Sequence, residues 1–171
     1  MTEARRGAYK TGLLGGLAGA AGGAAEILWV GCYGAVAGND TTEVARSIST
    51  VVSAVLPISP LIDAPIASGL ALHLLAAAAL GVALAFAQHT RWLRAFAGSD
   101  FTLLPALLAT VWAFNFLVVL PLISPYFADV HRSFTEILPY PVSLLSKLLF
   151  GLAAATVLNR TNVGQPALIQ V

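Results

Sequence analysis

Charge is what this chain has least of. Only 10% of its residues are Asp, Glu, Lys or Arg, against ~25% in ordinary soluble domains. That is too little to coat a water-facing surface on a chain of 171 residues. The two signs nearly cancel, to a formal +1, so no basic field draws in nucleic acid and no acidic field draws in a basic partner. Cysteine is scarcer still. Cys32 stands alone, so the chain closes no internal disulfide and cannot by itself assemble a cysteine-based zinc or iron–sulfur site. Cys32 is read as a small buried residue. Of the histidines, only His73 falls inside an apolar run, whereas His89 and His131 fall in polar links. A haem held by two axial histidines at matched depth therefore does not fit one chain. Asp129, His131 and Glu136 read as solvated loop charges. No cofactor and no metal is expected.

In place of charge there is uninterrupted apolar length. Four stretches, at about 12–37, 61–87, 101–123 and 142–158, have the ~17–25 residues that carry a helix across a bilayer. The expected fold is all-α: an integral membrane four-helix up-and-down bundle forming a single transmembrane domain over the whole chain. The polar opening MTEARRGAYK resembles the start of a signal peptide. The apolar run after it exceeds the ~7–15 residues of a signal core and holds a carboxylate, so it reads as a retained span.

Between spans 1 and 2, Asp40-Thr41-Thr42-Glu43 reads as a capping box. Val44, Ile48, Val51, Val52 and Val55 follow as one apolar stripe. The pattern predicts an amphipathic helix, either lying on the membrane face or packed over the mouth of the bundle. Arg5, Arg6, Lys10, Arg91, Arg94 and Arg160 fall on one side of a four-span topology, and Arg46 and Arg132 on the other. The positive-inside rule then puts both termini in the cytoplasm. Trp92, Tyr126 and Tyr140 suit the aromatic belts at the interfaces.

Each span also carries one strongly polar residue near mid-depth: Glu26, His73, Asn115 and Lys147. Gly15, Gly19 and Gly22 lead up to Glu26 at helical spacing, and Gly69, Ala77 and Gly81 flank His73. Small residues at that spacing admit a second helix at close range, so these polar groups face protein and not lipid. At ~1.5 Å of rise per residue, all four fall within about one turn of a common plane. A lone Lys or Glu at the bilayer centre costs at least ~2.5–3.5 kcal/mol. The expectation is that Glu26 pairs with Lys147, while His73 and Asn115 complete the hydrogen bonding. Trp112 shares the face of Asn115, and Tyr33 continues the face of Glu26 outward. These six residues are the candidate ligand- or proton-binding set, and none is assigned a catalytic role. Ser143 and Ser146 beside Lys147 suggest a Ser–Lys dyad, but no oxyanion motif accompanies them.

The Gly-rich first span with its internal carboxylate (GGLAGAAGGAAEILW), the mid-span histidine (ALHLLAAAALG) and the closing SLLSKLLFGLAAA resemble small bacterial inner-membrane proteins, in style those of the YagU type. The resemblance implies a multi-pass protein of the inner membrane and implies no activity. The functional expectation is a non-enzymatic membrane protein whose polar layer binds or relays a proton, an ion or a small polar ligand. The alternative is an accessory or assembly subunit with a purely structural layer. The expected company is the lipid bilayer and a homo-oligomer or membrane-complex partner.

Overall fold

The computed structural model describes residues 3–88, 100–127 and 133–161. Every regular element among them is helical. Trp92, Arg91, Arg94, His89, Asp129, His131 and Arg132 lie outside the described residues, and with them the expectations placed on those positions.

Helix α1 (Glu3–Ala37) has 35 residues. At 1.5 Å per residue it is about 52 Å long, well beyond the ~30 Å hydrocarbon core. The surplus is the polar first turns, where Arg5, Arg6 and Lys10 are exposed. The helix stops where a residue must turn left-handed. Gly38 has φ +72°, and the Asn39 N–H returns to the Gly34 carbonyl at 3.0 Å, which satisfies one of the orphan acceptors of the last turn.

Helix α2 (Thr42–Val55) is started by Asp40, whose Oδ1 accepts from the Thr42 N–H at 3.0 Å and from the Thr42 hydroxyl at 2.6 Å. The reciprocal half of the expected capping box is absent, because Glu43 pairs with Arg46 at 3.0 Å instead. The residues buried against the bundle are not those of the apolar stripe. Ala45, Ser47 and Ser49 are buried, Val44, Ile48, Val51 and Val52 are half-buried, and Val55 is exposed. The cause lies in α4 (Pro65–Ala87). Any Cβ at Gly69 would run into the Ala45 carbonyl, so the contact accepts only small side chains. The Ser49 hydroxyl ties the pair by donating to the Pro65 carbonyl at 2.6 Å.

Span 2 begins later than the expected Leu61. A separate short helix, α3 (Ser59–Asp63), precedes it, and the chain breaks at Ala64 with φ −134° and ψ 61°. Pro65 is the reason, since a proline disfavours helical geometry in the residue before it. The third span is α5 (Asp100–Phe114), a π-helical turn (Asn115–Val119) and α6 (Leu120–Ile123) in one rod. Pro121 has no N–H and crowds the carbonyl four residues back, which accounts for the widened turn just before it. Helix α7 (Tyr140–Arg160) opens with Pro141 in its first turn, where the missing N–H costs nothing.

Four helices are thus long and apolar enough to cross a membrane: α1, α4, the α5–α6 rod and α7. Helix α1 packs against α4 and α7, and α7 packs against α5, whereas α4 and α5 scarcely touch. Glycine sets the closeness of the α1–α4 seam. A Cβ on Gly15 would lie 2.7 Å from that of Ala85, and one on Gly19 would collide with the Ala77 carbonyl. On the other side Gly22 seats the Phe150 ring, 2.7 Å from where its Cβ would be. The core, including Ala18, Ala77, Leu84, Leu104, Leu108, Phe150 and Ala154, draws on all four long helices. The result is a helical bundle joined along the α1–α4, α1–α7 and α5–α7 seams.

Candidate functional site

The polar residues on α1, α4 and α7 meet at one level. From Tyr140 to Lys147 is about 10 Å of helical rise, and from Pro65 to His73 about 12 Å. Glu26 lies about 16 Å back from the end of α1 at Ala37. All three therefore sit nearer the end of the bundle that carries α2.

Glu26 is the centre of the group and is only 3% exposed. Its two oxygens are divided between partners on different helices. Oε1 accepts from Lys147 Nζ at 2.5 Å and from the Ser146 hydroxyl at 3.1 Å. Oε2 stands 3.5 Å from His73 Nε2, within ion-pair range but not aligned as a hydrogen bond. The three glycines before Glu26 explain why both neighbours reach it: Gly19 and Gly23 bring α4 close on one side, and Gly22 brings α7 close on the other.

A second chain of hydrogen bonds continues from Ser146. Its hydroxyl also approaches the Ser143 carbonyl at 2.7 Å. The Ser143 hydroxyl accepts from the Trp112 indole N–H at 2.8 Å and donates to the Tyr140 carbonyl at 3.1 Å. Trp112 is thus separated from the carboxylate by two serines, Ser143 and Ser146. It stacks on Phe116 with ring centres 5.4 Å apart and meets Tyr140 edge-on at 6.2 Å. Trp29 braces α1 to the first turn of α7 by donating to the Val142 carbonyl at 3.1 Å. Tyr33 is half-buried further along α1, and no hydrogen bond joins it to Glu26.

Asn115 departs from expectation. It is exposed and makes no hydrogen bond to Glu26 or Lys147. Helical phase puts it on the face of Leu104 and Leu108, both completely buried. Along that face burial is complete at Leu108 and lost at Asn115, the first residue of the π turn. The side chains of His73 and Lys147 are each 24% exposed, against 4% for Glu26. Cys32 is also exposed, contrary to its expected burial. It lines a shallow apolar groove of about 440 Å³ between α1 and α7, with Leu28, Leu152 and Thr156.

With Glu26 ionised, Lys147 cationic and His73 neutral, the layer carries no net charge. This is the condition a low-dielectric interior favours, since an unpaired charge there is heavily penalised. Among the described residues no group of three His, Cys, Asp or Glu side chains could hold a metal. The sequence reasoning passed over Ser146 as a direct partner of the carboxylate. Its signal was present in the position one turn beyond Ser143 and next to Lys147, on the side of α7 turned toward α1. Compared with protein-family models, curated proteins and solved structures, the chain finds no match.

Proposed function

We propose that this is a multi-pass membrane protein, non-enzymatic, whose Glu26–His73–Lys147 layer binds and releases a proton within the bilayer. The observation that carries the reading is the divided carboxylate. Glu26 is held by a lysine through one oxygen and approached by a histidine through the other. A purely structural ion pair needs one cation per carboxylate. The second, titratable partner supplies a place for a proton to go when Glu26 gives it up.

The reading includes the topology. Arg5, Arg6 and Lys10 at the start of α1 and Arg160 at the end of α7 favour termini in the cytoplasm, and the host membrane is a bacterial inner membrane. The layer then lies toward the outer face. The half-buried valines of α2, with exposed Val55, Leu56, Ile58 and Ile62, support a helix whose free side rests on lipid at that face. The same surface favours the second reading, an accessory subunit that docks a membrane partner there.

The test is proton flux in liposomes containing the full chain and a trapped pH-sensitive dye, under an imposed pH gradient. The expected result is a protein-dependent flux that Glu26→Gln abolishes and that survives substitution of α2 residues Val51 and Val55 by alanine. Flux equal to that of empty liposomes contradicts the proton reading.

A further inference from the structure

We infer that the flank of the α1–α7 seam is a binding site for one anionic phospholipid, with an acyl chain in the groove beside Cys32 and the phosphate held by Lys10 and Arg160. The inference is independent of the proton reading. It requires only that α1 and α7 cross the bilayer.

Three contacts fix the register of the two helices. Trp29 donates to the Val142 carbonyl, Glu26 pairs with Lys147, and Gly22 seats the Phe150 ring. Each turn back along α1 is matched by a turn forward along α7, so the helices run antiparallel. Continued at the same rise, Lys10 lies about 18 Å beyond Gly22 and Arg160 about 15 Å beyond Phe150. The two cations therefore share a level at one end of the seam. Both are exposed, and neither forms an ion pair with a described residue.

Helical phase puts both cations on the side of the groove. The groove is lined by Ala25, Leu28 and Cys32 on α1 and by Leu149, Ala153 and Thr156 on α7. The residues from Lys10 to Leu28 make about five whole turns, so Lys10 leaves α1 in the direction of Leu28. Arg160 follows Ala153 by about two turns and Thr156 by about one, on the same side of α7. By the same register, the groove runs about 24 Å from the level of Cys32 to that of Thr156, inside a hydrocarbon core of ~30 Å. A volume of about 440 Å³ spread over that length is a narrow channel open along one side, which suits an extended hydrocarbon chain. Its far end holds no cation: Ile27 to Ala37 on α1 and Tyr140 to Ser146 on α7 carry no charge. The site is thus apolar along its length and positive at one end only.

Charge decides between the possible occupants. A second copy docked here about a twofold axis along the bilayer normal would set its own Lys10 and Arg160 against the first pair, four like charges at one level. A lipid phosphate brings the opposite sign to the same place.

The experiment is native mass spectrometry of the full chain, stripped of lipid in detergent. It is titrated with phosphatidylglycerol, with phosphatidylcholine of the same acyl chains, and with glycerol phosphate, which carries no chain. At about fivefold per cation near an anionic headgroup, two cations predict a preference of about 25-fold for phosphatidylglycerol over the zwitterionic lipid. Arg160→Gln is expected to lower that preference about fivefold. Arg5→Gln removes the same charge from the same end of α1, but on the side away from the groove, and is expected to leave the preference unchanged. Glycerol phosphate is expected not to be retained. Equal retention of the two lipids, an unchanged preference in Arg160→Gln, or an equal loss in Arg5→Gln overturns the inference. Retention of glycerol phosphate as strong as that of phosphatidylglycerol overturns it too, since the groove then plays no part. So does a protein dimer that excludes the lipid.

Discussion

Lys147 Nζ stands 2.5 Å from Glu26 Oε1, joining α7 to α1 at the level where His73 approaches from α4. Removing one member of such a pair leaves the other charge uncompensated, whereas removing both leaves a neutral site. Lys147→Met is therefore expected to destabilise the bundle by about 3 kcal/mol, as is Glu26→Gln. The double change Glu26→Gln, Lys147→Met should cost less than either. Unfolding transitions of the four proteins in one detergent give the double-mutant cycle.

The α1–α4 seam admits no side chain at Gly19. Gly19→Leu is expected to force the helices apart and disperse the layer, lowering stability by more than ~3 kcal/mol. Gly31 on the same helix has nothing within 4 Å of an added Cβ, and Gly31→Ala should leave stability unchanged or slightly raised. Equal effects at the two positions, measured by thermal unfolding, would show that the close seam is not what holds α1 to α4.

Phe150 is 1% exposed and fills the hollow made by Gly22. Phe150→Ala should cost about 3–5 kcal/mol through lost burial and the cavity left behind. Because Phe150 follows Lys147 by one turn, the same variant should also weaken the Glu26 pair, which a fall in proton flux reports.

Asp40 holds the start of α2 through the Thr42 hydroxyl and N–H, and these hydrogen bonds lower its pKa from the ordinary carboxylate value. Its folded value is thus below its unfolded one. The contribution is whole above the unfolded value and is lost as pH falls through the folded value. An NMR titration of the Asp40 carboxyl should show the lowered midpoint, and Thr42→Val should move it back up. An unmoved midpoint in that variant means the hydroxyl bond is not its cause.

The sequence made the Glu26–Lys147 pairing legible because two kinds of information agreed. Rise along each helix put them at one depth, and the glycines at 15, 19 and 22 showed which side of α1 faced protein. The break at Ala64 was written in Pro65 but hidden inside a continuous apolar run, where hydropathy does not distinguish one helix from two. Asn115 failed for a tertiary reason. Its phase was read correctly against Leu108, but phase does not reveal where along a face burial ends. The side of α2 that meets the bundle was not legible, since Ala45 is matched to Gly69 and Ser49 to the Pro65 carbonyl, both on another helix.

The measurement that bears most directly on the account is infrared difference spectroscopy of the protein in membranes, titrated from about pH 4 to about pH 9. The account predicts a C=O stretch of a protonated carboxyl that grows as pH falls and is absent from Glu26→Gln. It also predicts that the frequency of this band changes in Lys147→Met, where the hydrogen-bonding partner of the carboxyl is gone. A band unaffected by Glu26→Gln, or one of unchanged frequency in Lys147→Met, would contradict a proton site built on these residues.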